Sequence, residues 1–154
     1  MNEPDELIAM IKAGGVYYNN RGETPEAVYQ DMVSHLSLPA GVDRDALLSG
    51  LVERERLMTT SVGNGIALPH PRTPIVTEEK DQRVFVCFLD RPVNFDAMDG
   101  KPVFALFVIL SNGSQSHLKV LSRLSWLFQQ EIFREALRKK PDTKELISMI
   151  QRYL

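Results

Sequence analysis

The sequence has a single cysteine, Cys87, among its 154 residues. One thiol closes no internal disulfide and builds no cysteine-rich zinc cluster, and it suits a reducing compartment. Excess positive charge is missing too: 18 Lys and Arg stand against 20 Asp and Glu, a formal charge of −2. A chain that wraps nucleic acid nonspecifically is clearly basic, so no nucleic-acid partner is expected. The most apolar stretch, Val103 to Leu110, has eight residues. A membrane helix needs about 20, so no direct membrane insertion is expected. The start, Met1-Asn2-Glu3-Pro4-Asp5-Glu6, is acidic and leads into no apolar run. That predicts no signal peptide and a cytoplasmic location.

What is present fits one globular domain, residues 1–154, with 44% apolar and 25% charged residues. A short helix is expected from Pro4 to Lys12, stopped by Gly14-Gly15. Val16-Tyr17-Tyr18 reads as a brief strand or an extended link. Thr24 is placed to cap a second helix with Pro25 at its first position, and Asp43 to cap a third. Gly50, inside that third helix, is expected to allow close packing. From Thr59 to Gly65 the composition reads as a loop leading into a short strand, Ile66-Ala67-Leu68, which Pro69 ends.

Arg83 to Leu89 and Val103 to Leu110 are apolar on both faces of a strand, the mark of central strands covered on two sides. Leu106 and Phe107 are therefore expected in the core. After a loop at residues 111–116, Leu118, Leu121, Leu124 and Phe128 trace a helical face, with Val120, Trp126 and Leu127 widening it. Two shorter helices follow, separated by Pro141. The pattern is one α/β domain, with three helices before the strands and two or three after.

Three histidines offer chemistry. His35 lies within a helix and reads as a half-exposed surface residue. His70 stands just past a strand end, delivered there by Gly63-Asn64-Gly65-Ile66-Ala67-Leu68-Pro69. Open α/β sheets place ligands beyond strand ends. The same Pro-His-Pro run also suits a rigid surface turn, and local pattern leaves both readings open. His117 is placed at the first or second position of a helix, where free N–H groups and the dipole favour an anion. The two residues are 47 positions apart. If their strands are parallel neighbours, both imidazoles arrive at one sheet edge.

A metal site wants three or four ligands. Asp90, Asp96 and Asp99 are available, but no spacing favours a set, and no metal or cofactor is assigned. No serine occupies a nucleophile elbow, and no glycine-rich run ends in Gly-Lys-Ser or Gly-Lys-Thr. A neutral imidazole is itself a nucleophile, and near its usual pKa of about 6.5 most of it is ready at pH 7. A phosphoryl group on it needs cations and N–H donors nearby, for which Arg54, Arg56 and Arg72 are candidates.

Leu51-Val52-Glu53-Arg54-Glu55 followed by Thr59-Thr60-Ser61-Val62-Gly63-Asn64-Gly65-Ile66-Ala67-Leu68-Pro69-His70 resembles the signature of the fructose–mannitol–nitrogen type enzyme IIA domains. These belong to the bacterial phosphoenolpyruvate-dependent phosphotransferase system. Pro92 to Val103 and His117 to Leu124 resemble the family's next two blocks, and the likeness runs from about Leu47 to the C-terminus.

The resemblance implies a mixed sheet of about five strands with helices on both faces. It implies that His70 is phosphorylated by the phosphocarrier HPr or its nitrogen-branch relative. It also implies that His117 helps to hold the phosphoryl group and that Arg54 lies near the pair. The family's relay passes the group to an enzyme IIB domain, and in the nitrogen branch the phosphorylation state is itself the output, read by a regulated target. The stretch ending in His70 looks nearest to nitrogen-type members. A soluble IIA subunit of a fructose- or mannitol-type transporter is the alternative, as is a regulatory binding module that carries no phosphate. Pro71-Arg72, where the family often has a glycine or another small residue, is a departure.

Overall fold

A computed structural model describes residues 3–153, with the side chains of Glu3, Pro4, Asp5 and Ser114 outside the description. The described elements are α1 (Glu3–Gly14), β1 (Val16–Asn20), α2 (Pro25–His35), α3 (Arg44–Leu57), β2 (Ser61–Gly63), β3 (Ile66–Ala67), β4 (Arg83–Val93), β5 (Val103–Leu110), α4 (Ser114–Phe128), α5 (Glu131–Leu137) and α6 (Thr143–Gln151). The strands form one mixed sheet in the order β1-β4-β5-β3-β2. β1 runs parallel to β4 and β3 parallel to β5, while β4–β5 and β2–β3 are antiparallel. The three early helices thus do not all precede the sheet, because β1 follows α1 directly.

Two apolar layers flank the sheet, and strand periodicity decides which side chain enters which. Val84, Val86 and Phe88 join Phe107 and Ile109 beneath α1, α4, α5 and α6. The intervening Phe85, Cys87 and Leu89 join Leu106, Val108 and Leu110 beneath α2 and α3. All eight residues of β5 are buried. The continuous apolar runs exist because successive side chains point to opposite faces and both faces are covered. Cys87 is fully buried, and burial pushes its thiol pKa up, which makes it a core residue.

The helix ends follow their caps. Thr24 accepts from the Ala27 amide with Pro25 at the first position, Asp43 accepts from the Ala46 amide, and Asp142 forms a capping box with Glu145. On α4 the buried stripe is Val120, Leu124, Leu127 and Phe128, whereas Leu118 is 64% and Trp126 46% exposed. Leu118 and Trp126 therefore belong to the surface side of the apolar face expected there.

The strand expected at Ile66-Ala67-Leu68 is β3, and residues 59–65, expected as a loop, hold more order than that. β2 and β3 make a small hairpin whose tip residues, Asn64 and Gly65, have φ of 57° and 82°. Asn-Gly supplies those left-handed conformations with little steric cost. At Gly65 any side chain also meets the Phe104 ring, 2.7 Å from where its Cβ would lie.

Candidate functional site

β3 lies parallel to β5, so their exits reach the same end of the sheet. The Ile109 amide donates to the Pro69 carbonyl at 2.9 Å, which ties the chain leaving β3 to β5 one residue before His70. β5 then leads through Ser111–Gly113 into α4, and His117 is the fourth residue of that helix. Its amide makes the bond to the Gly113 carbonyl, 3.1 Å long, that opens the helix ladder. The first three amides of α4 precede that bond and face the helix start. The two imidazoles meet with ring centroids 4.5 Å apart and planes inclined by 58°.

Around the pair is a cavity of about 220 Å³, lined by Arg54, His70, Pro71, Arg72, Pro74, Ile75, Ile109, Leu110, Ser111, Gly113 and His117. Its lining is mostly apolar, with two arginines, two imidazoles and Ser111 as the polar side chains. Arg54 comes from the last turn of α3, where its guanidinium donates to the Met58 carbonyl at 2.6 Å. Arg72 reaches the cavity from the Pro71–Pro74 segment.

Of the three arginines considered from the sequence, Arg56 is elsewhere. It pairs with Glu26 at 3.1 Å across a larger groove of about 540 Å³, on the α2 side of α3. That groove is lined by Tyr29, Glu55, Phe95 and Asp96 among others and contains no histidine. His35 stays apart as well, exposed, with its ring nitrogen against the Asp31 carbonyl at 2.8 Å.

Hydrogen bonding distinguishes the two nitrogens of His70. Nδ1 lies 2.8 Å from the Leu68 carbonyl oxygen. A carbonyl only accepts, so the bond assigns the proton to Nδ1 and leaves the Nε2 lone pair free. Burial pushes the His70 pKa below the ordinary histidine range. The Leu68 carbonyl opposes that shift, Arg54 adds to it, and Glu55 opposes it more weakly. Burial, with the charges of His70 and Arg54 behind it, lowers His117 further, to about 4. Both rings are therefore neutral at pH 7. On acidification the pair takes up protons in two steps, the charge on His70 opposing the second.

Other residues settle into different roles. The Ser116 hydroxyl donates to Glu6 on α1 at 2.8 Å and so is turned from the histidines. The Ser114 side chain lies outside the described ones. Asp99 accepts from the Asn64 amide at 2.8 Å and the Lys101 amide at 3.0 Å, clamping the hairpin tip, and these bonds lower its pKa. Among the described residues no group of three or more His, Cys, Asp and Glu side chains is arranged to hold a metal ion.

Two contacts have no counterpart in the sequence pattern. Glu55 accepts from the Tyr29 hydroxyl, the Thr60 amide and the Thr60 hydroxyl, linking α3, α2 and the hairpin. Gly50 faces Pro71, whose Cβ lies 2.9 Å from where a Cβ on Gly50 would be. In the first, the Tyr29–Glu55 bond joins residues 26 apart and carries no local signal. The second explains why the expected close packing of Gly50 matters: its neighbour is the residue after His70.

Comparisons with known proteins bear on the family and the fold. The family model described as "Phosphoenolpyruvate-dependent sugar phosphotransferase system, EIIA 2" matches residues 9–153. A nitrogen regulatory protein of Bradyrhizobium diazoefficiens is 33% identical over 125 residues, covering 79% of this chain and 78% of that protein. A fructose-specific EIIA component of Haloferax volcanii is 43% identical over 97 residues, covering 62% of this chain and 61% of that one. Among solved structures, the nitrogen regulatory protein IIA-Ntr of Neisseria meningitidis superposes with a TM-score of 0.75 at 29% identity, over 88% of this chain and 91% of its own. With a family match across nearly its whole length, the chain belongs to the EIIA 2 family of the phosphoenolpyruvate-dependent sugar phosphotransferase system.

Proposed function

We propose that the whole chain, residues 1–154, is one phosphoryl-carrier domain that accepts a phosphoryl group on Nε2 of His70, with a regulatory output in the cytoplasm. The donor is the phosphohistidine of HPr or of its nitrogen-type relative. The observation that carries this is the His70–His117 pair: rings 4.5 Å apart in one cavity, with Nδ1 of His70 committed to the Leu68 carbonyl. The free Nε2 lone pair attacks phosphorus, the donor's N–P bond breaks, and the bonding electrons return to the donor imidazole. No proton needs to leave Nδ1 during the step. The His70 ring gains positive character as the bond forms, so its Nδ1–H bond to Leu68 becomes charge-assisted and strengthens in the transition state.

His117 and Arg54 stand where they can hold the phosphoryl oxygens, and Arg72 adds a further cation at the rim. The apolar lining from Pro71, Pro74 and Ile75 suits docking of a carrier protein around a recessed imidazole. A cage of two arginines and neutral imidazoles holds the intermediate without trapping it, as a relay requires. Incubation with phosphoenolpyruvate, enzyme I and HPr is expected to add one acid-labile phosphoryl group by intact mass, absent in His70→Ala. Stoichiometric labelling of that variant would sink the assignment.

A second reading, a sugar-transport IIA passing the group to a IIB domain, is favoured by the 43% identity to the fructose-specific Haloferax component. Discharge of the phosphorylated chain by an enzyme IIB domain of the fructose or mannitol type would support it over the regulatory role.

A further inference from the structure

Glu55 stands beside Arg54 on α3 and is turned the other way, into the wall between the histidine cavity and the larger groove. Its carboxylate is fully engaged. One oxygen accepts from the Tyr29 hydroxyl at 2.5 Å and the Thr60 hydroxyl at 2.6 Å, and the other accepts from the Thr60 amide at 2.8 Å. Tyr29 is buried completely and Thr60 is 6% exposed. The line of bonds continues through the backbone. The Thr60 carbonyl accepts from the Leu68 amide at 3.0 Å, and the Leu68 carbonyl accepts from Nδ1 of His70.

We propose that Glu55 is the positioning residue for His70: by pinning Thr60 it fixes the Leu68 carbonyl, which holds the imidazole in its Nδ1–H tautomer with Nε2 free for transfer. The need for such a device follows from the hairpin's size. β2 has three residues and β3 two, and their register shifts between Ser61 and Gly63. β2 is the edge strand of the sheet and is bonded to β3 alone, whereas β3 is also bonded to β5. β5 holds the Leu68 segment on one side, through Ile66, Ala67 and the Ile109–Pro69 bond. On the other side the Leu68 amide rests on Thr60, from which the α3 carboxylate accepts two bonds while Tyr29 braces the carboxylate with a third. Glu55 touches no reacting atom; its positioning effect passes through Thr60 and Leu68, beside the weak direct pull of its charge on His70.

This inference rests on His70 being the phosphoryl acceptor, but its first readout needs no transfer. Side-chain 15N NMR of the unphosphorylated protein reports which His70 nitrogen carries the proton. The parent is expected to show Nδ1–H. Glu55→Ala is expected to populate the Nε2–H tautomer and to slow single-turnover phosphoryl uptake by about 100-fold, as small misplacements of a reacting group do. Glu55→Gln keeps an acceptor for the Thr60 amide and offers an NH₂ group that both hydroxyls can accept, so it is expected to restore the parent tautomer. A folded Glu55→Ala with the parent tautomer and rate would overturn the proposal. So would loss of the tautomer in Glu55→Gln, since charge rather than position would then be at work. If Glu55→Ala does not fold, Glu55→Asp decides by the same spectrum: the carboxylate withdraws by one methylene, and an unchanged tautomer defeats the proposal. A parent that takes up no phosphoryl group refutes the carrier reading and leaves the tautomer result standing.

Discussion

The strand pairs β4–β5 and β2–β3 lie in one sheet and are held in place by different forces. β4 and β5 have 11 and eight residues and put large apolar side chains into layers on both faces. β2 and β3 together have five residues. Ile66, Ala67 and Leu68 are buried in the two apolar layers, but around β2 and the turn the fixing contacts are polar: Glu55 on Thr60, Asp99 on Asn64, and the Thr59 hydroxyl on the Phe95 carbonyl. The long pair derives its place from burial, which is non-directional and tolerant of detail. In the short pair β3 shares that burial, while the exposed edge β2 and the turn are placed by hydrogen bonds, which are directional, and a nucleophile needs direction. The histidines sit where the two kinds of structure meet, His70 leaving the polar hairpin and His117 following the apolar strand.

The sharpest way to separate the two regions is to cut one side chain from each. Phe107→Ala empties a fully buried site in β5 and is expected to cost about 3–5 kcal/mol. His70→Ala removes a half-buried ring with one protein hydrogen bond and is expected to cost no more than about 1.5 kcal/mol while abolishing phosphoryl uptake. Urea midpoints and phosphorylation of both variants check this. A His70→Ala loss as large as that of Phe107→Ala would mean that the site also supports the fold.

The same contrast explains what the sequence made legible. Burial writes a local signature, so residues 84–89 and 103–110 were readable as two-faced strands, and Thr24 and Asp43 as caps. The hairpin was harder. Its second strand was readable at Ile66-Ala67-Leu68, but β2 is too short to show alternation, so the residues before the Asn64-Gly65 turn read as loop. His117 falls at the fourth helical position, not the first or second, because the helix starts right after Gly113, and boundaries depend on cap geometry. The separation of Arg54 from Arg56 was available in principle, since residues two apart on a helix do not share a face. The Tyr29–Glu55–Thr60 links were not available at all. They join segments through polar contacts whose partners no local pattern names.

Gly50→Ala tests how closely the apolar scaffold presses on the site. Pro71 is a rigid ring, and its Cβ stands 2.9 Å from the added methyl, so α3 and the segment after His70 must move apart. Overpacking of this kind costs about 1–3 kcal/mol. Replacing a helical glycine by alanine returns about 1 kcal/mol. The expected net is a loss of up to about 2 kcal/mol, with slower phosphoryl uptake from a displaced His70. A gain of about 1 kcal/mol with an unchanged rate would show that α3 and Pro71 yield freely.

The smallest expected effect is on pH dependence, and it probes the imidazole pair alone. Both histidines are held below the ordinary range of about 6.5, His117 at about 4. Above the ordinary value neither the folded nor the unfolded histidines bind a proton, so they contribute no slope. Below it the unfolded chain binds protons that the folded pair refuses. Stability must then fall as pH drops from about 6.5 toward the lower folded values, because the unfolded state is the better proton acceptor. Both rings keep partial contact with solvent, which screens the effect and makes it modest. Carboxylates begin to titrate in the lower part of this window, so the informative quantity is a difference. Urea midpoints at pH 7, 6 and 5 are expected to decline more steeply in the parent than in His117→Gln, whose side chain does not titrate. Parallel declines would mean that His117 is not held neutral by its surroundings. Phosphoryl uptake should follow the same logic on the nucleophile: a neutral His70 keeps the rate level below pH 6.5, where a free imidazole is already losing its lone pair.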